Sequence, residues 1–308
     1  MMTSNNYEAI IGYSELEPRT NLYSRFVHSK PSFTGRRSRS SIEFGPGQTV
    51  ATTIADHTRP HILAEGINFP ESPAFDRHGR LWCAELKSGN LCLLRGKEIK
   101  RFPVGGEPNG IAFDSSGRIV FCDSKNCSIR RFDPRSGKTK VLVDRVDGKP
   151  LFKPNDLAFD ALGNLVFTCP GYLRNAPTGY VCVLTRQGDV RRIGSGFYFP
   201  NGLAFSPDGR HLVVAETSRQ RLLRGYWDVK RALWSELRPW ADVGGAIGPA
   251  GMAYGADGRL HVAIQCDGMI KSVTPDGKVE TVAQLPGRLP TNCAFDPHNS
   301  LGLVTLRN

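Results

Sequence analysis

A five-residue phrase recurs six times along this chain, and its fourth and fifth residues are always Ala and an aromatic residue. The copies begin 38 to 49 residues apart, at Glu71, Asn109, Asn155, Asn201, Ala250 and Thr291. A period in this range is typical of repeat architectures, in which every copy adopts the same local structure. The first residues of the copies are therefore expected to become equivalent in space, and five of the six are polar.

Short apolar segments separated by turns follow each phrase. In the first three copies the turn has the form Asp-x-x-Gly, in which Gly supplies positive φ and Asp hydrogen-bonds its own backbone. The next segments of the second copy are 119–122, 129–132 and 139–143, all rich in apolar and β-branched residues. Runs this short, without helical periodicity, predict an all-β chain with four strands per repeat.

Four antiparallel strands repeated six times predict a six-bladed β-propeller, which protects its sheet edges by radial repetition. The Ala at the fourth position of each phrase fits the crowding of the innermost strands around the axis. An open stack of sheets is the alternative. We expect the propeller to span residues 46–308 and residues 1–45, which are polar and rich in Ser and Arg, to be a largely disordered extension.

The sixth blade has only two strands at the C-terminal end, near 293–295 and 301–305. Residues 60–65, just before the first phrase, can supply its outer strand, so that N- and C-terminal strands pair and close the ring. Residues 48–54 are strand-like and could supply the remaining strand. A truncated chain with a damaged last blade is an equally fair interpretation.

Composition narrows the class of protein further. The net charge of +11 over 308 residues can favour acidic partners, or can simply be a basic solvated surface; no nucleic-acid-binding motif is present. No apolar run approaches the length of a membrane span, and no secretory signal is visible. The eight cysteines contain no CxxC pair, which predicts reduced thiols and a cytoplasmic protein.

The polar residues that open the phrases form a possible ligand set. In a propeller they would surround one mouth of the central channel, and Glu71 with Asn109, Asn155 and Asn201 would offer carboxylate and amide oxygens. Such oxygens suit hard divalent cations such as Ca²⁺, Mg²⁺ or Mn²⁺. The alternative is that Asn occurs there only because it favours turns.

The blade motifs also resemble those of the gluconolactonase and regucalcin (senescence marker protein) family. The resemblance rests on 69–73, 153–156, 199–202 with 206–209, and 248–252, and it extends from about residue 60 to the C-terminus. It implies a six-bladed propeller and a metal-dependent lactonase that acts on a sugar lactone, a small-molecule substrate, with Ca²⁺, Mg²⁺, Mn²⁺ or Zn²⁺ as cofactor. By this resemblance Glu71 and Asn201 match metal ligands, Asn155 matches a residue near metal and substrate, and Lys153 stands where the family often has a substrate-contacting Arg. We therefore expect Glu71, Asn155 and Asn201 to hold the metal and Asn109, Asn155 and Lys153 to contact substrate.

Two departures from the family pattern affect the chemistry. Ala250 stands where the family has a metal-ligating Asp, and Cys169 replaces another Asp. Metal affinity should therefore fall, because ligand charge tunes it. A general base must come from elsewhere, and the candidates at the ends of second strands are Glu85, Asp123, Glu216, Gln265 and Asp267.

Three hypotheses remain open from the sequence. The first is a metal-dependent hydrolase of a sugar lactone or related cyclic ester, impaired by the loss of the Asp. The second is a non-catalytic propeller that binds a ligand or a protein. The third is a different reaction on the same scaffold. Cys169 and Cys266 also fall near the expected mouth, where inert thiols are one interpretation and a catalytic Cys is the other.

Overall fold

The computed structural model describes residues 9–13, 61–297 and 302–307. These residues form six four-stranded antiparallel sheets and one two-stranded hairpin. The innermost strands of neighbouring sheets contact each other in order, and the sixth contacts the first. The sheets therefore close a ring, and the protein is an all-β, six-bladed propeller as predicted. In the described part of the chain the only helix is a 3₁₀ turn, Thr217–Arg219.

In blades 1 to 5 the chain runs from the innermost strand outward. The strands of blades 1 and 2 are β3 to β6 (Pro70–Phe75, Leu81–Glu85, Asn90–Arg95, Glu98–Pro103) and β7 to β10 (Pro108–Phe113, Ile119–Asp123, Ser128–Asp133, Lys138–Val143). The hairpin of β11 and β12 follows (Arg145–Val146, Lys149–Pro150).

Blade 3 consists of β13 to β16 (Leu157–Phe159, Leu165–Cys169, Gly179–Leu184, Val190–Phe197). Blade 4 consists of β17 to β20 (Pro200–Phe205, His211–Glu216, Arg221–Asp228, Leu233–Asp242). Blade 5 consists of β21 to β24 (Gly248–Tyr254, Leu260–Gln265, Met269–Val273, Val279–Gln284).

Blade 6 combines both ends of the chain. From inside to outside its strands are β25 (Leu289–Phe295), β26 (Gly302–Arg307), β1 (Ala9–Tyr13) and β2 (His61–Glu65). The predicted outer strand at 60–65 is confirmed, and the blade has four strands rather than two.

The third strand of blade 6 corrects the sequence prediction. Residues 9–13 occupy the place that 48–54 were expected to fill, although 9–13 lie in the stretch predicted to be disordered. Residues 48–54 lie outside the described residues, and so do residues 1–8 and 14–45 of the stretch predicted to be disordered. The sequence Ala-Ile-Ile-Gly-Tyr is short but apolar, and Ala9, Ile10 and Ile11 are fully buried, which explains why this segment forms a strand.

The hydrophobic core lies between neighbouring blades, and β1 contributes to two of these interfaces. Ile11 packs with Ala263 and Ile270 between blades 5 and 6, whereas Ile10 packs with Cys83 and Cys92 between blades 6 and 1. Successive side chains of a strand point to opposite faces, so this one short strand seals both sides of the closing blade.

All eight cysteines are free, and six of them are buried, as expected for thiols that act as small apolar side chains. No helix among the described residues has the length and apolar character needed to cross a membrane.

Candidate metal and substrate site

A proline precedes the first residue of every phrase, at or just before the start of the innermost strand. These prolines are Pro70, Pro108, Pro154, Pro200, Pro249 and Pro290. Proline cannot donate a ladder hydrogen bond and is therefore confined to positions such as strand starts. The residues that follow all lie at the same end of the ring, which we call the mouth. We call these residues the upper ring: Glu71, Asn109, Asn155, Asn201, Ala250 and Thr291.

Five of the six innermost strands, all except that of blade 3, contain a β-bulge at the upper ring. In blade 2, Pro108 pairs with Asp123 while Ile111 pairs with Phe121, so the inner strand has one extra residue. The pairings of blades 1, 4, 5 and 6 shift at the same place. Bulges change the direction of the neighbouring side chains and are common beside active sites. The strand-start position alone did not indicate this feature.

The second residues of the phrases form a lower ring, in which small residues allow close contact between blades. The members are Ser72, Gly110, Asp156, Gly202, Gly251 and Asn292. A Cβ on Gly202 would lie 2.3 Å from the Ala250 carbonyl oxygen, and one on Gly251 would lie 1.9 Å from Cγ of Asn292. Only Gly fits at position 202, where the obstacle is backbone, and a side chain at position 251 would displace the Asn292 side chain.

Asp156 lies against Gly110 of the neighbouring blade, where an added Cβ would lie 2.6 Å from its Oδ1. Its carboxylate accepts hydrogen bonds from the Leu157 N–H (2.9 Å) and the Leu203 N–H (3.3 Å), and it also bonds the Asn292 side chain from the opposite blade. Burial raises its pKa to about 6, although these hydrogen bonds act in the other direction. The sequence analysis did not single out Asp156; the one signal was an acid where other copies have Gly, Ser or Asn.

The upper-ring side chains differ in exposure. Asn109 and Asn201 are buried, whereas Glu71 and Asn155 are half-buried. The Asn109 amide donates to Ser124 Oγ at 3.4 Å, and the Gly110 N–H donates to the Asn155 carbonyl at 2.8 Å, which ties blades 2 and 3 together here. Lys153 is exposed beside Asn155. Whether Glu71, Asn155 and Asn201 share one cation stays a prediction.

The family assignment follows from comparison with known proteins. The model of the SMP-30/Gluconolactonase/LRE-like region matches residues 69–305. The chain belongs to this family. It is 30% identical to the gluconolactonase of Zymomonas mobilis, over 79% of this chain and 77% of that protein. It is 26% identical to the diisopropyl-fluorophosphatase of Loligo vulgaris, over 79% of this chain and 87% of that protein.

A solved gluconolactonase structure shows the same architecture. The protein from Xanthomonas campestris superposes with a TM-score of 0.67 at 26% identity, covering 78% of this chain and 86% of that one. The resemblance derived from the blade motifs is therefore confirmed, and a lactone-hydrolase type of function is supported at the level of the family.

Three of the general-base candidates from the sequence analysis have a structural role instead. Glu85, Asp123 and Glu216 end the second strands of their blades, are almost fully buried, and form ion pairs. Their partners are Arg101 at 3.0 Å, Arg130 at 2.8 Å and Arg221 at 2.7 Å, respectively.

Each of these carboxylates also accepts a backbone N–H from the loop that leads into the innermost strand of its own blade. The donors are Asn68 at 3.0 Å, Glu107 at 3.1 Å and Tyr198 at 2.8 Å. Burial raises the pKa of Asp123, but hydrogen bonds from Asn126, Glu107 and Arg130 outweigh it and hold the pKa below its ordinary value. These three carboxylates therefore anchor the loops of the mouth.

The remaining catalytic candidates at the mouth, Cys169, Gln265 and Asp267, differ in whether they can act as a base. Cys169 is fully buried, and burial raises its pKa to about 12, so it is an inert thiol. Gln265 cannot accept a proton as a base. Asp267 is half-buried and accepts a hydrogen bond from the Ala246 N–H at 3.3 Å. No ion pair of Asp267 occurs within the described ranges.

Ala250 is 1% exposed and packs with Ala263, Leu285 and Cys293 between blades 5 and 6. The position of the family's Asp is thus part of an apolar contact in this chain. Among the described residues no three His, Cys, Asp or Glu side chains form a metal-binding group. A cation at the upper ring would accordingly depend on one carboxylate and on amide oxygens.

A cavity of 550 Å³ opens at the mouth beside blades 3, 4 and 5. Its walls come from loops that precede or follow the mouth ends of strands, and the lining residues are Arg174, Asn175, Tyr198, Ser218, Arg219, Gln220, Ala246 and Ile247. Tyr198 and Ile247 lie three residues before Asn201 and Ala250 in the chain. A volume of this size is typical of small-molecule sites.

Proposed function

We propose that this protein hydrolyses a sugar lactone or a related small cyclic ester with the help of a divalent cation. The observation that carries the proposal is the position of Glu71, Asn155 and Asn201 at or just before the starts of three innermost strands, two of which, in blades 1 and 4, are bulged there. A cavity of small-molecule size opens at the same end of the ring. The likeness to gluconolactonases of two bacteria supports the same reaction class.

The donor set of the upper ring fits a hard cation. Glu71 supplies the single negative charge, and Asn155 and Asn201 supply amide oxygens, which Ca²⁺, Mg²⁺ and Mn²⁺ accept as ligands. When bound, such a cation polarises a carbonyl oxygen and lowers the pKa of water. The other steps belong to the protein: Asn109, Asn155 and Lys153 orient substrate hydroxyls at the mouth.

Hydrolysis adds the oxygen of water to the lactone carbonyl carbon and breaks the bond from that carbon to the ring oxygen. One water proton must leave the attacking oxygen, and one proton must reach the ring oxygen, which becomes a hydroxyl. We assign the first transfer to Asp267, because its carboxylate lies next to the cavity-lining Ala246 and has no Arg or Lys partner in the described chain.

The replacement of the family's Asp by Ala250 supports a second candidate, a propeller that binds its ligand without hydrolysing it. Loss of a ligand charge lowers cation affinity, and the reaction would then be slow or absent. A different reaction on the same scaffold is the third possibility. The eight free thiols are the reason to propose a cytoplasmic location.

A lactone panel tests the hydrolase proposal. Chelator-treated protein should be inactive, and activity should return with one of Ca²⁺, Mg²⁺, Mn²⁺ or Zn²⁺. Glu71→Gln should weaken cation binding roughly 100-fold or more, since even outer-sphere partners of metal ligands cost 10–100-fold, whereas Glu98→Gln on the exposed outer strand of blade 1 should have no effect.

Calorimetric titration and initial rates give the two readouts. Asp267→Asn should lower kcat while cation affinity is retained. Cation binding without turnover of any lactone, or of diisopropyl fluorophosphate, would favour the ligand-binding candidate. Turnover that is unaffected by chelator and by Glu71→Gln would contradict the metal-dependent mechanism.

A further inference from the structure

Two arginines at the mouth lie on the rings of two consecutive aromatic residues. The guanidinium carbon of Arg174 is 3.9 Å from the centroid of Phe199, and that of Arg219 is 3.9 Å from the centroid of Tyr198. Cation–π stacking holds a guanidinium by its face and leaves its N–H edge available. Tyr198 and Phe199 directly precede Pro200 and Asn201, so both arginines are positioned beside an upper-ring residue.

Hydrogen bonds and a ring contact hold the loops that carry these two arginines. The Ser218 N–H donates to the Tyr198 carbonyl at 3.3 Å, and the Gln220 side chain donates to the Gly245 carbonyl at 2.6 Å. On the Arg174 side, the Tyr172 ring contacts the Phe152 ring at a tilt of 36°, with ring centroids 4.0 Å apart. The loops that carry the two arginines are therefore attached to their neighbours rather than projecting freely.

Among the described residues, no carboxylate neutralises the charges of these two arginines. In the part of the chain that the structure describes, neither Arg174 nor Arg219 forms an ion pair with a carboxylate. The arginines that pair with Glu85, Asp123 and Glu216 at the same end of the ring differ in this respect. Unpaired guanidinium groups that line a cavity form a site for an anion, because their N–H groups match carboxylate and phosphate oxygens.

Both arginines line the 550 Å³ cavity, and Lys153 adds a third positive charge at the rim of the mouth. Lys153 lies over the ring of Phe152, which in turn contacts the ring of Tyr172 in the Arg174 loop. The cavity is larger than the reacting group of a lactone needs. It can therefore hold a substituent that carries negative charge while the carbonyl faces the upper ring.

We propose that Arg174 and Arg219 bind an anionic group, phosphate or carboxylate, on the substrate, so that the preferred substrate is an anionic sugar lactone. This inference rests on the proposed hydrolase function for the identity of the substrate, but the anion site itself does not require turnover. The negative group lies between the two stacked guanidinium groups, and the lactone ring points toward Glu71, Asn155 and Asn201.

The kinetic test compares D-glucono-1,5-lactone with its 6-phosphate and with D-glucaro-1,4-lactone, which carries a carboxylate. Arg174→Gln and Arg219→Gln should each raise KM for the preferred anionic lactone roughly tenfold, as expected for a lost charge-assisted hydrogen bond, and leave KM for the neutral lactone unchanged. Arg95→Gln, an exposed arginine at the far end of β5, is the charge-matched control. Equal KM values for neutral and anionic lactones, or equal effects on both, would overturn the proposal.

A binding test separates this inference from the hydrolase function. Calorimetric titration of 6-phosphogluconate and of inorganic phosphate into the unsubstituted protein should show binding, which the Arg174→Gln/Arg219→Gln double variant loses and an Arg→Lys pair partly retains. Binding without hydrolysis of any lactone would contradict the hydrolase function and support the anion site. Hydrolysis of the neutral lactone without anion binding would support the hydrolase function and overturn the anion site. Equal melting temperatures confirm that the variants are folded.

Discussion

At the scale of single residues, position within the repeat decides what a side chain does. Glu71 and Glu85 lie in the same blade, yet Glu71 begins the innermost strand, whereas Glu85 ends the second strand and bonds Arg101. The sequence indicated the upper ring because its members recur at matched positions. It could not separate structural from chemical carboxylates, because the partners Arg101 and Asn68 lie 16 and 17 residues away from Glu85.

Restoring the family's Asp tests the role of the upper ring at one residue. Ala250→Asp should tighten divalent-cation binding roughly tenfold or more, because ligand charge tunes affinity. The same change should lower the melting temperature of the cation-free protein, since Ala250 packs among apolar side chains. Ala250→Asn, which adds volume without charge, is the control. Unchanged affinity in Ala250→Asp, measured by calorimetry, would show that position 250 does not face the ligands.

At the scale of the strand and blade, the repeat predicted which segments form strands but not how they pair. The bulge at the upper ring depends on where the second strand places its partners, and no local pattern fixes that register. The short strand Ala9–Tyr13 illustrates a second limit, because its apolar sequence is only five residues long and does not show that it is buried between blades. The sequence showed the glycines of the lower ring, but it did not show why Gly is needed there, which is the close contact with a neighbouring blade.

His261 makes the interface between blades 5 and 6 sensitive to acid. It is fully buried, contacts the Phe295 ring edge-to-face at 4.7 Å, and burial lowers its pKa from 6.5 to about 4. The folded state therefore favours the neutral imidazole. Its contribution to stability is complete above pH 6.5 and falls as the pH drops toward 4, by roughly 2 kcal/mol between pH 7.5 and pH 5.

Urea unfolding at pH 7.5 and pH 5 measures this effect. His261→Leu should remove most of the loss of unfolding free energy between the two pH values, whereas His78→Gln, at an exposed turn, should leave it intact. An equal loss in the unsubstituted protein and in His261→Leu would mean that other groups cause the acid sensitivity.

At the scale of the whole molecule, stability depends on closing the ring with strands from both ends of the chain. β1 pairs with β26 and with β2 inside blade 6, so the last blade joins strands from both ends of the chain. Ile10 of β1 also packs against Cys83 and Cys92 of blade 1. The sequence predicted this kind of closure and located the outer strand at 60–65, but it did not identify 9–13.

Truncation of Ile10 measures how much this closure contributes. Ile10→Ala should lower the free energy of unfolding by about 2–5 kcal/mol, the usual cost of removing a buried Ile side chain. Ile62→Ala on the outermost strand should cost much less, because Ile62 is 40% exposed. Equal, small effects of the two substitutions in urea unfolding would show that β1 does not seal the ring.

The proposed function requires that Glu71, Asn155 and Asn201 hold one cation at the mouth of the propeller. A crystal structure of the protein grown with Ca²⁺ would show whether they do. We expect one calcium ion about 2.3–2.6 Å from a carboxylate oxygen of Glu71 and from the amide oxygens of Asn155 and Asn201. A calcium ion bound elsewhere, or side-chain oxygens of these three residues that point away from a common centre, would contradict it.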